Sequence, residues 1–253
     1  MATDHLLVTP VVHNGVALLA RKLRARDSIS PEEEQVLRDA VVEVREVRAG
    51  KVLVRQGTPV NESTLLIEGI VCRYKDLASG ERQIQELHVP GDFVDLHGFL
   101  LKRLDHNIAS VSRALIALVP HDRLRRITEE HPHLSRMLWF STMLDASVQR
   151  ETILSVGRRT AFARIAHLMC ELCLRLQVVG LSEDGRFAMP ITQTDLADAT
   201  GLTSVHVNRM LKQLRDQDML TFRNGMAEIH DWERLARAAE FDPAYLHLDR
   251  QPR

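Results

Sequence analysis

Arg209 follows His206 and Asn208 and precedes Lys212, in a stretch that reads SVHVNRMLK from Ser204. Guanidinium, imidazole, amide and ammonium groups at these offsets share the outer side of a helix and can meet the edge of a duplex. An arginine donates two parallel hydrogen bonds to guanine O6 and N7. Asparagine and histidine reach bases or phosphates. Thr203 and Ser204, at the start of the same segment, suit a phosphate oxygen at a helix N-terminus. Upstream, Thr192 and Gln193 open a second short segment, at the place where backbone phosphates lie. Val205 joins the outward set and supplies a methyl surface instead of a polar group. The candidate nucleic-acid contacts are therefore Thr192, Gln193, Thr203, Ser204, Val205, His206, Asn208, Arg209 and Lys212.

Such residues act together only if two helices cross steeply over a very short turn. The first helix then needs a small residue at the crossing, and Ala197 provides it. The turn needs a residue at ease with positive φ, which is Gly201. Val207 and Met210 face back, and Leu196 and Leu202 fill the space between. Thr192, with Asp195 three residues on, caps the first helix, and Thr203 or Ser204 caps the second. An ordinary helical hairpin does not require all of these at once. A hairpin around Asn224-Gly225, a type I′ turn pair, and a helix over 231–240 complete a winged helix-turn-helix.

Upstream elements follow from period and punctuation. Helices are predicted over 16–26, 31–40 and 121–129, the second with Ser30 before Pro31 and three glutamates in its first turn. Between 41 and 119, six short β-branched segments alternate with turn residues, among them Pro90-Gly91-Asp92 and a single last strand over 109–119. They suggest a sandwich or barrel. A helix over 132–156 has no internal Pro or Gly and carries Leu134, Met137, Leu138, Met143, Leu144, Val148 and Leu154 close to coiled-coil spacing. It is predicted to join two copies of the chain and to stop at Gly157, with another helix over 159–178. The fold class is α+β: an N-terminal β-roll (1–130), a long dimerisation helix (131–157) and a C-terminal winged helix-turn-helix domain (158–253).

Composition limits the alternatives. With a net charge of −1, the chain is not a histone-like non-specific binder, although a local basic face remains open to it. Hydrophobic residues make up 45% and charged residues 26%, ordinary for a soluble globular protein. No apolar run is long enough for a bilayer, and no signal sequence is visible in residues 1–15. A cytoplasmic protein without membrane contact is expected. No Gly-rich phosphate loop, nucleophile elbow or HExxH appears, so an enzyme is not expected. A roll that binds another protein, without DNA readout, is the competing reading.

Cys170 and Cys173 form a CxxC inside a helix, on an apolar stripe with Ile165, Leu168 and Met169, which favours buried structural thiols. His88, His97, His106, His121, His131 and His133 show no convincing metal or haem spacing and read as packed or solvated side chains.

The stretches LIEGIVCRYKDLASGERQIQELHVPGDFVDLHGFL, GRRTAFARIAHLMCELCLRL and ITQTDLADATGLTSVHVNRMLKQLRDQDMLTFRNGMAEI together resemble the Crp/Fnr family of bacterial transcription regulators. The resemblance implies a homodimer, a sensor roll, a two-fold symmetric operator in duplex DNA, and contact with RNA polymerase. Two positions depart from the family pattern. Members that read TTGA- or GTGA-type half-sites carry a glutamate where this chain has Val205, although the matching Arg209 is kept. Cyclic-nucleotide binders hold the ribose with a glutamate and the phosphate with Arg-Ser or Arg-Thr. Here those sites fall at Asp95 or Leu96 and at His106-Asn107, with Arg103 and Lys102 the nearest cations. The effector pocket is assigned to Asp95, Leu96, Arg103, His106 and Asn107. No cofactor or metal is expected. Cyclic AMP and cyclic GMP are expected not to bind, and haem or another small molecule stays open as the effector. The oxygen-sensing cysteine cluster of some relatives is absent.

Overall fold

The two-residue period becomes antiparallel strands in a computed structural model that describes the backbone of residues 4–253 and side chains from residue 14 onward. They are β1 (Glu43–Val47), β2 (Val52–Val54), β3 (Glu62–Glu68), β4 (Val71–Asp76), β5 (Arg82–His88), β6 (Asn107–Ser110) and β7 (Ala114–Pro120). One sheet has the order β1-β7-β3 and the other β2-β6-β4-β5. In the first, β3 runs from Glu62 opposite Pro120 to Glu68 opposite Leu115, with a bulge after Leu66. Leu66, Val71, Val94, Leu104, Ile108 and Ile116 fill one core of the roll. The single strand predicted over 109–119 is in fact two strands in different sheets. The chain changes sheet at 111–113, where Ser112 Oγ accepts from Ile70 N at 2.9 Å. Gly69 permits this corner: its φ is +88°, and a Cβ there would lie 2.4 Å from the Arg113 carbonyl oxygen.

Helices α1 (Asp4–Arg24), α2 (Pro31–Ala40), α3 (Gly98–Leu101), α4 (His121–Glu130) and α5 (Pro132–Arg158) accompany the roll. The predicted capping at Ser30 forms, with Ser30 Oγ accepting from Glu33 N and the Glu33 carboxylate accepting from Ser30 N. The first helix starts well before residue 16, at Asp4. Gly15 lies inside it and lets α1 approach β3, since a Cβ there would be 2.6 Å from Ile67 Cγ1. The stretch 1–15 has its first three residues outside the described ones.

The long helix has two apolar stripes. Leu134, Met137 and Leu138 belong to the chain's own core with Leu19, Leu23 and Leu124, and Leu144 and Val148 are buried too. Trp139 (68% exposed), Met143 and Ile153 (72%) face outward, with Leu154. Spacing alone merged these stripes into one. The helix also continues through Gly157 to Arg158. A glycine in a last turn costs little, and the stop comes from Thr160, which caps the next helix.

That helix is α6 (Ala161–Val178). It is followed by β8 (Ser182–Glu183), β9 (Arg186–Ala188), α7 (Gln193–Thr200), α8 (Ser204–Asp216), β10 (Leu220–Arg223), β11 (Met226–Ile229), α9 (Trp232–Ala239) and a 3-10 turn at Pro243–Leu246. The wing is a four-stranded sheet in the order β10-β11-β9-β8. Asn224 and Gly225 both have positive φ, at 53° and 72°, as a type I′ turn requires. The chain divides into two compact units. One holds residues up to Arg73, His88–Asp145 and Leu248–Arg253, and the other holds Tyr74–Leu87 and Ala146–His247. No helix among the described residues is long and apolar enough to cross a membrane.

Candidate nucleic-acid interface

The start of α7 is fixed by a reciprocal cap. Thr192 Oγ1 accepts from Asp195 N at 3.1 Å, and Asp195 Oδ2 accepts from Thr192 N at 2.9 Å. Its end is fixed by Gly201, at φ +64°, and by Arg164 of α6, which donates to the Thr200 carbonyl at 3.1 Å. That carbonyl is one of those a helix end leaves without a helical partner. Thr203, and not Ser204, caps α8 by accepting from His206 N at 3.3 Å. Leu196, Ala197, Val207 and Met210 are buried between the two helices, as their spacing requires, and Leu202 is half-buried.

This packing turns one side of α8 outward. Ser204, Val205, His206, Asn208, Arg209 and Lys212 are all exposed, as are Thr192, Gln193 and Thr203. Val205 is 78% exposed, an apolar side chain held in water by the helix that carries it. Asn208 Nδ2 donates to Gln193 Oε1 at 3.3 Å, which links the two helices on the outer face and orients the amide. Arg209 and Lys212 form no ion pair or hydrogen bond among the described residues. Two positions near this face escaped the sequence reading, Arg82 and Gln83 at the tip of the β4–β5 hairpin. Both bind α7, and only the folded chain brings them there.

The five residues assigned to an effector pocket are not gathered around one space by their hydrogen bonds. Asp95 is buried, and its carboxylate accepts from Thr64 N at 2.5 Å and Thr64 Oγ1 at 3.1 Å. Burial pushes its pKa up to about 7, against those hydrogen bonds. Leu96 sits in the apolar core between α1 and the sheet. Arg103 is exposed and donates to the Gly57 carbonyl at 2.7 Å. Asn107 Oδ1 accepts from Gln56 N at 2.9 Å. His106 is buried, with Nδ1 3.0 Å from Asp105 Oδ1 and its ring centroid 5.1 Å from that of His97.

A buried cation of the roll lies elsewhere. Arg73 on β4 is 1% exposed. It donates to the Val94 carbonyl at 2.8 Å and to Asp145 Oδ2 on α5 at 2.8 Å. No spacing rule in the sequence points to it. Burial, reinforced by the Arg73 charge, lowers the pKa of His88 to about 4 and that of His97 to about 3, so both rings are neutral at pH 7. No group of three His, Cys, Asp or Glu among the described residues could hold a metal ion. Cys170 and Cys173 are buried on α6, and burial pushes both thiols up, away from the thiolate form that redox chemistry uses.

Comparison with known proteins bears on both units. A cyclic nucleotide-binding domain model matches residues 44–131, and a Crp-like helix-turn-helix domain model matches residues 163–238, together more than half of the chain. The transcriptional activator protein Anr of Pseudomonas aeruginosa is 22% identical over 81% of this chain and 83% of its own length. FnrL of Cereibacter sphaeroides, also a transcriptional activator, is 25% identical over 72% of this chain and 74% of its own. The structure of FixK2 from Bradyrhizobium japonicum superposes with a TM-score of 0.71 and 26% identity, over 78% of this chain and 97% of that one. A roll of the one type and a helix-turn-helix of the other, in this order along one chain, place it in the Crp/Fnr family: it is a transcription regulator with a helix-turn-helix DNA-binding domain, and not an enzyme.

Proposed function

We propose that the protein binds a two-fold symmetric operator as a homodimer, reading bases through α8, and that it does so without a cyclic nucleotide. The observation that carries the reading is the outer face of α8. Its polar side chains point to water, and Arg209 and Lys212 form no ion pair or hydrogen bond among the described residues. Arg209 reads a guanine edge, Val205 packs on a thymine methyl, and Thr192, Gln193, Thr203 and Ser204 meet phosphates. The partners are duplex DNA, a second copy and RNA polymerase, in the cytoplasm.

The dimer contact is the outward stripe of α5. Trp139, Met143 and Ile153 recur at three- and four-residue steps when Ala146 and Arg150 are included, which is the seam of a two-helix coiled coil. Trp139→Glu with Ile153→Glu should give a folded monomer in sedimentation. A charge at Leu138 should instead unfold the first unit, because that side chain lies in the protomer's own core.

The roll supports independence from cyclic nucleotides. An obligatory anion needs a fixed cation. Arg73 already faces Asp145, and Arg103 is turned to a backbone carbonyl on the surface. Selection of duplexes from a random pool, with and without cyclic AMP or cyclic GMP, tests the whole reading. An enriched, palindromic site bound equally well without nucleotide is the expected result. Enrichment that needs either nucleotide would reverse the second half, and no enrichment would reverse the first.

A further inference from the structure

The outer part of the β4–β5 hairpin, Tyr74–Leu87, belongs to the same compact unit as the helix-turn-helix. Its tip grips α7 at several points. Arg82 Nη2 donates to Asp195 Oδ1 at 2.9 Å, and Arg82 Nε donates to Asp198 Oδ2 at 2.7 Å. Gln83 Nε2 donates to the Asp198 carbonyl at 2.7 Å. Gln83 Oε1 also lies 3.7 Å from where a Cβ on Gly201 would stand, so the tip reaches the turn between the two helices. The Arg82 guanidinium lies 5.6 Å from the centroid of the Tyr74 ring in the same hairpin.

Asp195 has two tasks in this arrangement. Oδ2 closes the cap with Thr192, and Oδ1 takes the guanidinium. Asp198 stands one turn further along the same face of α7. Two carboxylates at the phosphate-facing end of a DNA-binding helix would repel the duplex over a distance comparable with the screening length in physiological salt, roughly 8 Å. One guanidinium between them cancels part of that charge. The same three donors hold α7 both near its start and at the carbonyl of Asp198. Partly exposed ion pairs of this kind add little to folding stability, so the contact matters for position and for field.

We infer that Arg82, with Gln83, is a positioning clamp for DNA docking: it fixes α7 and neutralises Asp195 and Asp198 beside the phosphates. The inference rests on the DNA-reading proposal above.

The test uses the full-length protein and two duplexes, one enriched from the random pool and one with its sequence shuffled. Arg82→Ala should weaken binding to both duplexes by a similar factor, about tenfold, because field and position do not depend on sequence. Arg82→Ala with Asp198→Asn should recover most of that loss, which a merely structural role would not do. Arg82→Lys keeps the charge but cannot fork to both carboxylates, and should fall between wild type and alanine. Amide hydrogen exchange on the free protein should quicken across α7 in Arg82→Ala and stay unchanged in α9. Wild-type affinity in Arg82→Ala, or no recovery on adding Asp198→Asn, overturns the clamp alone. A wild-type protein that enriches no duplex overturns the DNA reading, and the clamp with it.

Discussion

The interior of the roll and the outer face of α8 are both rich in polar groups and treat them in opposite ways. In the roll, Arg73 faces Asp145, and Asp95 takes two donors from Thr64. His88 and His97 are kept neutral by burial. On α8, Arg209, Lys212 and His206 stand in water. Buried polar groups must be matched where they are made, because leaving one unmatched is costly. Exposed ones can wait for a partner that arrives from outside. The contrast separates what the protein uses to hold itself together from what it leaves exposed on its helix-turn-helix.

The largest expected effect breaks the first half of that contrast. Asp145→Ala removes the carboxylate that faces a buried guanidinium and should cost about 3–5 kcal/mol in denaturant unfolding of the first unit. Arg73→Met with Asp145→Leu should recover most of the loss, since replacing both partners with apolar groups is often neutral. A small effect of Asp145→Ala alone would mean that the charge of Arg73 is carried by other groups.

On the other side, Arg209→Ala should leave the unfolding midpoint within about 0.5 kcal/mol of wild type, as an exposed surface change does. The same change should cost about 1–3 kcal/mol in binding to the enriched duplex, and little on the shuffled one. Equal losses on both duplexes would move Arg209 from base to phosphate. Val205→Glu adds an acceptor at the first turn of α8 and should shift the selected half-site towards a cytosine at one position, checked by repeating the selection.

The smallest effects come from pH, with opposite signs for two histidine environments. His88 and His97 have folded-state pKa values of about 4 and about 3, below the ordinary 6.5. The unfolded chain therefore binds protons that the fold refuses. Their contribution is complete above about pH 6.5 and is lost as pH falls towards 4. His133 bridges Glu33 Oε1 at 2.6 Å and Asp27 Oδ2 at 3.3 Å, and these carboxylates raise its pKa despite partial burial. Its contribution is complete below 6.5 and fades as pH rises through the raised value. Unfolding followed against pH should show a shallower acid limb in His88→Leu and a flatter slope above pH 6.5 in His133→Ala. An unchanged acid limb in His88→Leu would show that this ring does not control it.

Local chemistry made much of the reading head legible in the sequence. Thr192 with Asp195, Thr203, Gly201 and Asn224-Gly225 act within a few residues, and each does in the fold what its type allows. The β8–β9 hairpin was legible by the same rule, since Asp184-Gly185 is a type I′ pair with both φ positive, but the sequence reading passed over it. Tertiary structure decided the rest. A coiled-coil spacing shows that α5 is apolar, but only packing against α1 and α4 decides that Leu138 turns in and Trp139 turns out. A continuous β-branched run could not show that 109–119 changes sheet, because the corner packs against the distant Gly69. Arg73 finds Asp145 across 72 positions, and Arg82 finds Asp195 across 113. Capping and turn preferences are fixed by neighbours in the chain and can be read from it. Charge pairs and the choice between two apolar stripes depend on which distant segments arrive, and only the folded chain settles them.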